Sequence, residues 1–233
     1  LSARPAGPPG PGRREAGRGA ARCAARIAAA PLPGSGGFAD GAAGIGWALL
    51  RFAGAGGDAR HRSAGLEALR RATAGAHVTT AATAGAPDGA IVGTTRGTAA
   101  GAAAGPAWCG GVAGIALAVA DSPDALADPE LSGWLAARSG ELAGIGPLVD
   151  DSLCHGESGL LELLGHGALP AARPAWMRRA GTLLASADRA GPQCGTPRRG
   201  PPPGRLTRRS GVRPRGLWAG VPHPIGAAHL QRS

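Results

Sequence analysis

Cys154 and His155 stand side by side in SLCHGESGLLELLG, residues 152–165, followed by a glycine and an apolar run. A thiolate and an imidazole are common zinc ligands, but zinc takes four protein ligands in structural sites and three in catalytic ones, where the fourth position stays open. The chain has four cysteines, Cys23, Cys109, Cys154 and Cys194, and six histidines from which the rest could come. Which of them can reach Cys154 is a question about the elements around it.

An internal repeat supplies an answer. GFADGAAGIGWAL starts at Gly37, WCGGVAGIALAV at Trp108 and LCHGESGLLELL at Leu153. In each, two glycines three residues apart precede an apolar helix start: Gly41 and Gly44, Gly111 and Gly114, Gly156 and Gly159. Glycine permits tight turns and close backbone approach. Three helices entered by the same turn occupy equivalent positions around a ring, so their N-terminal loops gather at one end. That arrangement carries Cys109 to Cys154 and His155, making a Cys₂His set with one position open, the pattern of a catalytic zinc.

The elements between these loops read as helices. Ile45, Ala48, Leu49 and Phe52 fall on one helical face, and Leu66, Leu69 and Thr73 continue the spacing in the next segment. Ser122-Pro123 and Asp128-Pro129 each set a capping residue before a proline at the first helical position. Leu131, Leu135 and Leu142 share a stripe, as do Trp176, Ala180, Leu183, Leu184 and Ala187. Sustained β-branched alternation is absent, so the expected class is all-α. Residues 74–105, mostly Ala, Gly and Thr, read as a low-complexity loop.

The net charge of +10 suggests a polyanion partner until it is divided along the chain. Residues 1–33 carry six Arg and one Glu, residues 198–233 eight Arg and no acid, and residues 34–197 eleven Arg against fourteen acids. Both basic ends are rich in Pro and Gly without apolar periodicity, and both are expected to be disordered arms. They lack aromatic residues interleaved for base stacking, so specific nucleic-acid binding is not expected. No run of eighteen apolar residues occurs and no apolar signal segment follows the first arginines, so neither a membrane span nor secretion is expected. The expected setting is cytoplasmic, with reduced thiols free to bind metal.

The three glycine repeats, with WCGG, LCHG and QCGTP, resemble the lanthionine synthetase C-like (LanC-like) cyclase family, above all the C-terminal cyclase part of bifunctional lanthionine synthetases. The resemblance covers roughly residues 34–197. It implies an α/α toroid, a double ring of helices with zinc at its mouth, whose zinc ligands are Cys109, Cys154 and His155. It also implies an activity: a cysteine thiol adds to dehydroalanine or dehydrobutyrine in a ribosomal peptide, forming a thioether. The implied partners are the dehydrated precursor peptide and a dehydratase. The family's first-loop histidine, the expected proton donor, corresponds here to Asp40, and an ordinary aspartate is a poor donor at neutral pH. The family has an apolar helix after CGTP, whereas this chain turns to Arg and Pro, as GC-rich DNA read in a shifted frame would. The expected organisation is therefore a basic arm at 1–33, an incomplete toroid at 34–197, and a tail at 198–233.

Two other functions fit the same residues: addition of a small thiol such as glutathione, and a metal-free peptide-binding remnant without catalysis. The remaining candidates have ordinary readings. Cys194 is expected to pack near the ring and Cys23 to be an unpaired thiol. His61 and His166 are expected on the surface, and His77, His223 and His229 to be without a role.

Overall fold

The computed structural model of the chain describes residues 11–78, 105–148 and 151–193, with the backbone alone at 11–14. The chain divides into two compact units, Leu1–Pro197 and Arg198–Ser233, and every described residue lies in the first. Among the described residues the fold is all-α. The helices are α1 (Pro11–Ala29), α2 (Ala42–Gly54), α3 (Ala59–Thr73), α4 (Val112–Ala120), α5 (Pro123–Leu126), α6 (Pro129–Gly144), α7 (Glu157–Leu164) and α8 (Arg173–Ala190). The expectations for the tail, for Cys194, His223 and His229, and for 79–104 fall outside the described residues.

The helices form two layers. The helices that follow the glycine loops, α2, α4 and α7, pack side by side in that order, and α3, α6 and α8 pack behind them in the same order. VAGIALAVA explains why α4 is central. It carries no polar side chain, every one of its residues is buried, and a helix apolar all round must be covered on all sides. Leu69, Leu131, Leu142, Leu160, Leu163 and Leu164 fill the core around it. Burying a side chain of that kind contributes roughly 1.5–3 kcal/mol. Between α2 and α3 the backbones themselves touch. A methyl group added at Gly46 would lie 2.8 Å from the Gly65 carbonyl oxygen, and one at Gly65 3.0 Å from that of Gly46. The turn joining them passes through Gly56, whose φ of +111° favours glycine.

Helix starts follow the expected signals in part. Asp128 caps α6, accepting from the Glu130 and Leu131 amides at 3.0 and 3.1 Å, with Pro129 next in line. Its carboxylate also takes a 2.7 Å hydrogen bond from Arg70 Nη2, tying α6 to α3. The Leu131 amide and Arg70 hold its pKa below the ordinary 3.8. Ser122 does not cap. Its hydroxyl donates back to the Ala118 carbonyl at 2.8 Å, and the helix after it, α5, is a single turn.

Stripe expectations divide the same way. Leu131, Leu135 and Leu142 are buried along α6 as expected. On α2 the buried set is Ala42, Ala43, Gly46, Leu49 and Leu50, while Ala48 is exposed and Ile45 and Phe52 are only half-buried. On α8 only Ala175 is buried, and Leu184 is 70% exposed. Spacing identified these helices but not which of their apolar residues find a neighbour.

The first arm also departs from expectation. Residues 11–29 form α1, which packs on α2 and α3 and buries Ala24. Pro11 begins it, at a position where its missing N–H costs nothing, and seven alanines offset three glycines in propensity. Alanine gives no periodic signal, which is why composition suggested disorder there.

Candidate metal centre

The three glycine loops fold alike. Gly41, Gly111 and Gly156 cap their helices in the same extended conformation, with φ and ψ of −133° and −173°, −113° and −172°, and −119° and −164°. The second glycine of each pair explains its own presence. A side chain at Gly44, Gly114 or Gly159 would run into the carbonyl oxygen six residues earlier, of Phe38, Trp108 or Leu153 respectively. The loop thus lies directly on the first turn of its helix.

The loops also pair with one another at equivalent positions. The Ala39 amide donates to the Cys109 carbonyl at 2.8 Å, and the Cys109 amide to the Cys154 carbonyl at 3.3 Å. The Trp108 amide donates to the same Cys154 carbonyl at 3.0 Å. Phe38 and Trp108 pack ring to ring, with centroids 4.8 Å apart. The α4 and α7 loops, 45 residues apart in sequence, are therefore joined backbone to backbone beside the two cysteines.

Their side chains converge. The sulfurs of Cys109 and Cys154 and a ring nitrogen of His155 all lie within 4.8 Å of one another, and Cys109 Sγ is 3.2 Å from His155 Nε2. A tetrahedral zinc, with Zn–S near 2.3 Å and Zn–N near 2.0–2.1 Å, sets its ligand atoms about 3.5 Å apart. Two soft sulfurs and an imidazole at this spacing fit such an ion after a shift of about an ångström. The CHG turn is held by Ser152, whose Oγ accepts from the His155 amide at 3.2 Å and whose carbonyl accepts from Gly156 at 3.0 Å. Burial, with the Cys154 sulfur beside it, pushes the Cys109 thiol up to about 11. In the metal-free protein the thiol is thus the favoured form, which a bound cation would reverse.

Asp40 is exposed and is not part of this cluster. It stands beside the backbone that carries the cluster: a methyl group placed on Gly37 would be 2.8 Å from the Cys109 carbonyl oxygen and 3.2 Å from Asp40 Oδ1.

The sequence reading missed a polar group next to the site. Glu157, the first residue of α7, is buried, and Arg179 of α8 binds both its carboxylate oxygens at 3.0 Å. Arg179 also donates to the carbonyls of Ile145 and Gly146 at 2.8 and 2.9 Å, while the Leu148 amide donates to Glu157 Oε1 at 2.6 Å. The pair thus fastens the segment that leads into the CHG loop. An arginine inside the expected apolar stripe of α8 was the available signal.

Two histidines differ from expectation. His61 is buried, edge-on to Phe52 at 5.0 Å, with Nδ1 2.7 Å from Asp58 Oδ1 in poor hydrogen-bond alignment. His166 is partly buried and accepts from the Ala168 amide at 3.2 Å. Cys23 is exposed and free, and Cys109 and Cys154 are free thiols.

A family model described as lanthionine synthetase C-like protein matches residues 35–168, more than half of the 233. No curated protein matches the chain, and no solved structure does. None of the described helices is long and apolar enough to cross a membrane.

Proposed function

Because the chain belongs to the lanthionine synthetase C-like family, we propose that it is the zinc-holding part of a peptide cyclase, in which Cys109, Cys154 and His155 hold one zinc ion. The observation that carries this reading is the convergence of three donor atoms from two loops far apart in sequence. The reaction is thioether formation on a dehydrated ribosomal peptide, delivered by a dehydratase. Residues 34–197 are assigned to a partial α/α toroid, akin to the C-terminal cyclase part of bifunctional synthetases.

When bound, zinc lowers the pKa of a thiol entering its remaining position. Cys109, Cys154 and His155, on the loops that lead into α4 and α7, fix that position. The thiolate sulfur bonds to the β-carbon of the dehydro residue, the double-bond electrons pass to the carbonyl as an enolate, and the α-carbon takes up a proton. Asp40, on the loop hydrogen-bonded to that of Cys109, is the side chain assigned to relay this proton. General acid assistance of this kind is worth about 10²–10⁴ in rate.

The test is the zinc content of the purified chain, alone and as Cys109→Ala and Cys154→Ala. One zinc per chain, lost in both variants, is expected, and full retention in Cys154→Ala refutes the assignment. Incubation with a dehydrated peptide, read by mass after thiol alkylation, reports cyclisation. With Asp40 at the position of the family's histidine, little or no thioether formation is expected, and Asp40→His alone should not restore it.

A further inference from the structure

The three loop–helix units stack in one direction, and each makes the same contacts with the next. Phe38 Cβ is the side-chain atom facing Gly114, and Trp108 Cβ, its equivalent, is the one facing Gly159; an added methyl at either glycine would be 2.9 Å away. Leu153 is third in that series and is 47% exposed. At the opposite edge Gly44 is only half-buried, and its three nearest atoms all belong to Phe38 of its own loop. Among the described residues there is thus a knob without a socket at one edge and a socket without a knob at the other.

The helix faces repeat the pattern. Ile115 and Ala118 of α4, and Leu160 and Leu163 of α7, are buried, yet their α2 equivalents Ile45 and Ala48 are half-buried and exposed. In the other direction, Ala113, Ala116 and Ala120 of α4 are buried. Their α7 equivalents Ser158, Leu161 and Gly165 instead line, with Glu162 and Trp176, an open groove of about 360 Å³.

Charge follows the same register. Trp47 Nε1 of α2 donates to Asp121 Oδ2 at the end of α4, 2.8 Å away. One unit further on, these positions are Leu117 and His166. Across the two open edges they are Glu162 and Arg51, of opposite charge. Glu162 is exposed, and Arg51 is half-exposed with a single loose ion pair, 3.9 Å from Asp121.

We propose that the chain associates head to tail with a second copy of itself, the α7 edge of one copy seating on the α2 edge of the next. Leu153 fills the space beside Gly44, and Glu162 meets Arg51. The Cys154 amide points the next backbone rung at the Ala39 carbonyl. Such an interface is heterologous, since the two surfaces are different patches of one chain. It continues the contact already made twice inside the molecule.

Charge exchange at the edges distinguishes this association from any face-to-face dimer. Sedimentation of the full chain should show concentration-dependent self-association. Glu162→Arg sets arginine against Arg51, and Arg51→Glu sets glutamate against Glu162, so each variant alone should associate about tenfold or more weakly. An equimolar mixture of the two should recover wild-type association, because both kinds of junction in it pair opposite charges. Both positions are at the surface, and unchanged helical circular dichroism checks folding. Leu153→Arg should weaken association in the same way. A wild-type chain that stays monomeric at every concentration overturns the proposal, as does a mixture no more associated than its components.

Discussion

Cys109 gives the metal-free protein a pH dependence on the alkaline side. Its thiol is held up to about 11 in the fold, against 9.0 as an ordinary cysteine. The unfolded chain therefore loses this proton first as pH rises. Between about pH 9 and 11 the native state binds more protons than the unfolded state, so stability falls with rising pH in that window and is unaffected below it. Urea midpoints of the metal-free chain at pH 8, 9 and 10 should drop over the last step, and Cys109→Ser should flatten the drop. Zinc affinity should run oppositely, since the ligands bind deprotonated. Glu157 and Arg179 make a second residue-scale case. With about a tenth of each side chain exposed, removing one partner leaves a buried charge. Arg179→Ala should therefore cost about 3–5 kcal/mol in urea unfolding. A loss below about 1 kcal/mol would mean that water reaches the pair. The ligand residues were legible because chemistry restricts them to few residue types. The Glu157–Arg179 pair was not, because an ion pair between helices leaves no spacing in sequence.

At the scale of the element, glycine has opposite meanings in two places. Gly114 and Gly159 lie where a side chain would strike the backbone of their own loop and the Cβ of the neighbouring aromatic residue. Gly133 and Gly140, on the exposed side of α6, have nothing within 4 Å. Gly114→Ala and Gly159→Ala should each destabilise by about 1–3 kcal/mol or more, as overpacking does. Gly133→Ala and Gly140→Ala should stabilise by about 0.5–1 kcal/mol, as expected in a helix interior. Thermal melts of the four variants check both signs at once. The repeat made the first pair readable in sequence, since the same two glycines recur before three helices. Helix positions were readable from periodicity. Which side of α2 and α8 is covered was not, because Ile45 and Leu184 look like core residues until the absence of a neighbour is known.

Over the whole molecule, the described helices differ in how much else must move before they can open. α4 carries no polar side chain and has no exposed residue, with α2, α6 and α7 against it. A fluctuation that frees its backbone must first separate all three. α8 has one buried residue and is held mainly through Trp176 and Arg179. The distinction is one of cooperativity: opening α4 amounts to global unfolding, while α8 can open locally. In deuterated water the amides of Ile115 to Ala118 should therefore be the last to exchange, with a protection equal to the full unfolding free energy. Those of Thr182 to Ala187 should exchange earlier by orders of magnitude. The metal ligands flank the start of α4 and the start of α7, so zinc should slow the first group and leave the second almost unchanged. The fold thus places its lasting part at the helix that leads out of the Cys109 loop, and its yielding part at the last of the described helices.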